Sequence, residues 1–271
     1  VIPDSIQHWF DDCPFALIAF SGGVDSSLVA ALARKTLGRD RCLAVISASP
    51  SLKLKDLDEA KQFALEQDIP LRIIVTRELE NPDYADNPAN RCYFCKFTLY
   101  SELKELATEK SPCWILNGTN LDDQGDYRPG LQAAAEFEVR SPLLECGLDK
   151  QAVRDLASAM ELRCWNKPAA PCLSSRIPYG ERVTADKLRR IESAESWLAS
   201  KGFEICRVRH PGAAARVEVA PEHVDALGEL LPDMESAFRT LGFDHCEIDT
   251  EGFVSGKLNR KVSEVQTRPP H

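Results

Sequence analysis

Short apolar runs alternate with longer amphipathic stretches through the first half of the chain. Residues 15–20 (FALIAF) are a continuous apolar run of strand length, and the Ala/Leu-rich residues 28–33 after them favour helix. The alternation then repeats: residues 41–47 (RCLAVIS) predict a second buried strand, residues 52–67 a helix by their Leu/Ala spacing, and residues 69–76 (IPLRIIVT) a third strand. A β-α-β-α-β order predicts a parallel sheet covered by helices on both faces. Residues 4–13 form a short amphipathic lead-in, and residues 81–90 (NPDYADNPAN) a loop by composition. Residues 97–108 then predict helix, 113–116 (CWIL) a fourth strand, 139–144 (VRSPLL) a short fifth strand or extended segment, and 150–160 a helix.

Periodicity is lost over residues 166–180 (NKPAAPCLSSRIPYG), which carry three prolines and read as an ordered loop between domains 1–165 and 181–271. Beyond it, residues 185–200 form a strong helical pattern. Residues 203–209 and 215–219 alternate like two strands around a His210-Pro211-Gly212 turn; 221–241 read as helical and 246–249 as a last short strand. The expected fold class is α/β, a doubly wound parallel sheet with a smaller C-terminal α+β domain. The final TRPPH is expected to be disordered.

Charge and composition narrow the partners. The 271 residues carry a formal net charge of −9, against the basic surface of a nucleic-acid binder. No apolar run approaches the roughly 20 residues of a membrane span. The start, VIPDSIQHWFDD, lacks a charged-then-apolar leader and reads as cytoplasmic. Ten cysteines in such a compartment would be mostly reduced. Cys42, Cys113, Cys164 and Cys206 sit in apolar stretches and read as small core residues, whereas Cys92, Cys95 and Cys172 lie in polar, irregular sequence.

The chemistry concentrates where the first strand ends. Ser21-Gly22-Gly23-Val24-Asp25-Ser26-Ser27 is a strand, a glycine turn and a helix start, an arrangement that presents backbone N–H groups to an oxyanion. Ser21, Ser26 and Ser27 add hydroxyls. Asp25, a carboxylate among phosphate donors, makes sense as a ligand for Mg²⁺ on the same phosphates. Ligands of such sheets bind at the carboxyl ends of strands, here Ser21, Ser47 and Thr76. Asn117-Gly118-Thr119-Asn120-Leu121-Asp122-Asp123 is another strand end with a glycine, its two carboxylates readable as caps or a charged turn. The loop has no Walker lysine. It resembles the pyrophosphate loop of the N-type ATP pyrophosphatases, Rossmann-like enzymes that split ATP between its α and β phosphates and leave an adenylated substrate. That resemblance implies ATP at Ser21–Ser27, Ser47 and Gly118.

Cys92-x-x-Cys95 alone suits a redox dithiol, half a zinc site or part of an iron–sulfur site. With Cys172 it makes three thiolates, which can hold a [4Fe–4S] cluster at three corners. Arg207 and Arg209 alternate on one strand, Arg216 sits on the next, and Arg176 follows Cys172 by four residues. They suit an anion grip or a solvated charged face.

SGGVDSS, NRCYFCK, NGTNLDD, RPG, RSPL, PCLSSRIPYG and RVRHPGAAARVEV, in this order, resemble the LarE family of ATP-dependent sulfur transferases over nearly the whole chain. Members adenylate a carboxylate of pyridinium-3,5-biscarboxylic acid mononucleotide and replace it with a thiocarboxylate, building the nickel-pincer cofactor of lactate racemase. The resemblance implies that Cys172 handles sulfur and that Arg207 and Arg209, with Arg176, hold the substrate phosphate. It also implies a homo-oligomer, a hexamer, with other enzymes of the cofactor pathway as possible partners. One family type sacrifices a lone cysteine, at the position of Cys172, as dehydroalanine. The presence of Cys92 and Cys95 resembles the other type, in which three cysteines ligate a [4Fe–4S] cluster that carries the sulfide. A tRNA thiolase with the same loop is a rival reading, but should show a basic face. An ammonia-using ligase would need no clustered cysteines.

Overall fold

A computed structural model of the chain describes residues 2–125 and 129–254. The expectations for the RPG segment at Arg128 and for the TRPPH tail fall on, or begin in, residues outside that range. The chain divides into two compact units, residues 2–78 with 92–170, and residues 79–91 with 171–254.

The first unit runs α1 (Asp4–Asp11), β1 (Ala16–Ala19), α2 (Val24–Leu37), β2 (Cys42–Ser47), α3 (Leu54–Glu66) and β3 (Leu71–Ile74). Between β3 and the next long helix, residues 79–91 leave for the second unit and carry the one-turn α4 (Pro82–Ala85). The first unit resumes with α5 (Arg91–Thr108), β4 (Trp114–Leu116), α6 (Pro129–Glu136), α7 (Pro142–Glu145) and α8 (Lys150–Ala159). The four strands form one parallel sheet in the order β3-β2-β1-β4. All four residues of β1 are buried, as a central parallel strand requires. Helix α2 buries ten of its fourteen residues, so it is apolar nearly all round and lies inside the unit. Ile18, Ile46, Leu28, Leu32 and Phe63 meet in its core.

Two sequence expectations change here. The fifth strand over 139–144 is reduced to one bridge, Leu116 with Arg140, and Pro142 then opens α7. Proline lacks the N–H a ladder needs and suits a first helical turn. Residues 91–96, read as irregular, are the first turns of α5.

The second unit contains α9 (Ala185–Ser200), β5 (Cys206–Arg209), β6 (Ala215–Val219), α10 (Val224–Glu229), α11 (Leu231–Thr240) and β7 (Cys246–Ile248). β5 and β6 are antiparallel, β6 and β7 parallel. Its core gathers Leu198, Val208, Val217, Met234, Phe238 and Phe243. The single helix expected over 221–241 is broken at Leu230, two residues before Pro232. Among the described residues no helix is long and apolar enough to cross a membrane.

Candidate active site

In the first unit the glycine turn after β1 is forced by its surroundings. Gly22 has φ +72°, and a Cβ there would lie 2.9 Å from the Cβ of Ala60 on α3. Across the loop, a Cβ on Gly118 would lie 2.7 Å from the backbone nitrogen of Ser26, so the end of β4 packs directly on the start of α2. Ser26 Oγ accepts the Ser21 N–H at 3.1 Å, bonds Ser21 Oγ at 3.0 Å and donates to Gly23 O at 3.2 Å. Ser26 therefore staples the loop. Among the described residues no side chain caps α2 at Gly23, an arrangement that suits an anion at its first turn.

Asp25 stands at that first turn, half-buried. Its carboxylate receives both hydrogen-bonding contacts of Lys150 Nζ, at 2.7 and 2.6 Å, and Asn120 Nδ2 at 3.0 Å. Lys150 opens α8, where Asp122 Oδ2 accepts its N–H at 3.0 Å and Asp149 caps the helix through Ala152 N. Asp123 Oδ2 accepts the Asn120 N–H at 3.1 Å. Asp122 and Asp123 thus shape the wall that holds Lys150 and Asn120. Asp25 Oδ1 takes two donors and Oδ2 one, so Oδ2 retains a lone pair. Lys150 has no motif of its own in the sequence; only the fold brings it to Asp25, 125 positions away.

At the ends of β2 and β3, Ser47 Oγ and Thr76 Oγ1 are 2.5 Å apart, and Thr76 donates to Glu78 Oε2 at 2.6 Å. Glu78 is buried, and Ser51 donates to its other oxygen at 3.3 Å. This hydroxyl chain holds Ser47 at the sheet's carboxyl edge; Glu78 lay outside every sequence motif. Ser27, expected among the ATP-binding hydroxyls, faces inward. Its hydroxyl is buried and its N–H bonds Gly23 O at 3.0 Å.

None of the three singled-out cysteines is in a disulfide among the described residues. Cys92 and Cys95 lie three residues apart on α5, hence on one helical face, with Cys92 exposed. Cys172, exposed, belongs to the second unit and precedes a 3₁₀ turn, Leu173–Arg176. Among the described residues no group of three or more His, Cys, Asp or Glu side chains stands ready to hold a metal ion.

In the second unit the arginines divide into two kinds. Arg176 is buried: Nε and Nη2 meet both oxygens of Glu195 at 2.9 and 3.3 Å, and Nη1 donates to Pro171 O, Cys172 O and Ser175 Oγ. Glu195 also accepts the Val208 N–H. Arg209 meets both oxygens of Glu218 at 3.0 and 2.9 Å and donates to Ser175 O at 2.7 Å. Arg176 and Arg209, expected on a substrate phosphate, each pair with a buried carboxylate and donate to carbonyls of the Cys172 loop. Arg216 pairs at the surface with Glu247 at 2.6 Å. Arg207 differs: among the described residues it has no hydrogen bond or ion pair, only the Phe253 ring at 4.2 Å. Burial, then repulsion from Arg176 and Arg209, lowers its pKa to about 10. Glu218 and Glu195 offset this only in part, and a half-buried cation without an ion-pair partner favours an anion.

The family described as NAD synthase matches residues 4–81, the span that carries the phosphate loop. An uncharacterized protein of Synechocystis is 42% identical over 96% of this chain and 97% of its own. The pyridinium-3,5-bisthiocarboxylic acid mononucleotide synthase of Lactiplantibacillus plantarum is 34% identical over 92% of this chain and 90% of its own. An uncharacterized protein of Methanocaldococcus jannaschii is 26% identical over 88% and 90%. A full-length likeness to that synthase, joined to an ATP pyrophosphatase loop on a four-stranded parallel sheet, places the chain in the LarE family of ATP-dependent sulfur transferases.

Proposed function

We propose that this chain adenylates a carboxylate of pyridinium-3,5-biscarboxylic acid mononucleotide and converts it to a thiocarboxylate, the chemistry named for its Lactiplantibacillus plantarum relative. The observation that carries this reading is an exposed Cys172 whose flanking carbonyls are held by buried arginines, in a chain that also has an uncapped phosphate loop. The Ser21–Ser27 loop, with Gly118, seats the ATP phosphates at the first turn of α2, and Ser47 lines the nucleotide side. Asp25 takes Mg²⁺, with Lys150 as the second cation facing the phosphates. A substrate carboxylate oxygen attacks the α-phosphorus and the bond to pyrophosphate breaks, leaving an acyl adenylate. The charged Arg207 is the substrate-phosphate contact supported best, since the other two guanidinium groups are engaged.

Sulfur then adds to the activated carbonyl carbon and AMP departs with the bonding electrons. In the reading preferred here, Cys92, Cys95 and Cys172 hold a [4Fe–4S] cluster. The donor set fits two of its corners, with Cys92 and Cys95 on one face of α5. When bound, such a cluster would supply the sulfide. A second reading uses Cys172 alone. There the Cys172 thiolate attacks the acyl adenylate, forming a thioester. Loss of the Cys172 α-proton breaks its Cβ–S bond, releasing the thiocarboxylate and leaving dehydroalanine. Anaerobic reconstitution separates the two. The cluster reading expects about four irons per chain, lost on Cys92→Ala or Cys95→Ala, and multiple turnovers. The sacrificial reading expects one product per chain and a protein lighter by the mass of H₂S. Homo-oligomerisation is also proposed, supported by exposed Ile73 and Val75 at edge strand β3, and light scattering on the eluting protein tests it.

A further inference from the structure

The turn after Cys172 is short and nearly without bonds of its own. Within it, Ser175 N donates to Cys172 O at 3.0 Å and Ile177 N to Ser174 O at 3.2 Å. Besides Arg176, Arg209 and the His210 N–H, which hold Cys172 O, Ser175 O and Arg176 O, part of what fixes it comes from residues 79–91, which leave the parallel-sheet unit to join this one. Tyr84 Oη and Ser174 Oγ are 2.7 Å apart, both side chains buried. Arg91 Nη1 donates to Ser174 O at 3.0 Å and also to Asn87 Oδ1. Asn87 Nδ2 donates to Ile177 O at 3.2 Å and Pro178 O at 2.7 Å, from a left-handed backbone with φ +58°. Two backbone bonds extend the seam, Gly180 N to Asn87 O at 2.9 Å and Val183 N to Ala85 O at 2.7 Å.

Burying a phenol, an amide and a guanidinium is costly unless every donor is used. Apolar side chains would fill the same space without that cost. What the polar set adds is a fixed address for particular carbonyls and one hydroxyl, all within six residues of a thiol that is itself exposed. Pinning the backbone beside an accessible reactive group is how a fold keeps that group in attack geometry.

We infer that Tyr84, Asn87 and Arg91 are positioning residues for Cys172, fixing the Leu173–Arg176 turn so that the thiol is presented in one place. This rests on the reading of Cys172 as the sulfur-handling residue. None of the three need touch substrate. Their effect belongs to the sulfur step and is absent from adenylation.

The test uses Tyr84→Phe and Ser174→Ala, which remove the two halves of one hydrogen bond and keep the packing, with Arg91→Lys as a charge-conserving third variant. Four readouts are taken: pyrophosphate release with Mg·ATP and the pyridinium dicarboxylate mononucleotide, thiocarboxylate formation, iodoacetamide labelling of Cys172 resolved by peptide mass, and thermal midpoint. Expected is a sulfur-step kcat lower by about tenfold or more, with the KM for ATP and pyrophosphate release unchanged. Cys172 labelling should accelerate, and the double variant should be no worse than either single one. Labelling and sulfur transfer at wild-type rates in both single variants would overturn the inference. So would an equal loss of pyrophosphate release and sulfur transfer with a lowered midpoint, since that is a stability effect alone. Should the unaltered protein make no thiocarboxylate, the functional reading fails, and the labelling rate still decides the positioning claim.

Discussion

At the residue scale, pairing decides what each charge can do. Lys150 and Asp25 form one unit, so both Asp25→Ala and Lys150→Met should abolish pyrophosphate release while circular dichroism stays unchanged. Release near the wild-type rate in Lys150→Met would reduce Lys150 to a surface partner. Arg207→Ala should weaken substrate binding about tenfold, the worth of one charge-assisted hydrogen bond, with ATP titration unaltered. Arg176→Ala should act differently. It strands buried Glu195 and should cost about 3–5 kcal/mol of stability in denaturant titration. Comparable stability in the two variants would erase the distinction drawn between these arginines. SGGVDSS was legible because the chemistry is local. The division among Arg176, Arg207 and Arg209 was not, because it depends on Glu195 and Glu218, nineteen and nine positions away from their partners. Equal sequence spacing gave Arg207 and Arg209 equal standing.

At the element scale, the alternation of apolar runs carried the four parallel strands and the small α+β unit. It failed where one residue overrides a pattern. Pro142 converts an apolar, strand-like VRSPLL into a helix start, and Pro232 divides a helical stretch. The onset of α5 was masked by the Asn/Pro-rich residues before it, since Arg91 N already bonds Pro88 O. The loop itself gives a sharper test. Gly22→Ala meets both a left-handed φ and the Ala60 methyl, so the strand-to-helix turn must shift. The expected result is a loss of about 1–3 kcal/mol in chemical denaturation together with loss of ATP binding by calorimetry. A stable variant with full ATP affinity would mean the turn is not what seats the phosphates.

At the scale of the whole molecule, pH links a buried group to folding. His210 is 1% exposed, lies 4.7 Å from the Phe243 ring at a 51° tilt and has neither ring nitrogen hydrogen-bonded among the described residues. Burial, then repulsion from Lys187 and Arg190 against weaker attraction from Glu181, lowers its pKa from 6.5 to about 4. The unfolded chain therefore binds this proton more readily. Its contribution to stability is complete above pH 6.5 and is lost as pH falls from 6.5 towards 4. Thermal midpoints should fall across that window in the unaltered protein and much less in His210→Phe. Parallel curves would place the acid sensitivity elsewhere. The central claim is that one chain joins ATP cleavage between the α and β phosphates to sulfur delivery through Cys172. It is tested most directly by quantifying AMP, pyrophosphate and thiocarboxylate together for the unaltered protein and for Cys172→Ser. The account predicts one AMP and one pyrophosphate per thiocarboxylate formed, and in Cys172→Ser pyrophosphate release without thiocarboxylate. Release of ADP and phosphate, or thiocarboxylate formed by Cys172→Ser at the unaltered rate, would contradict it.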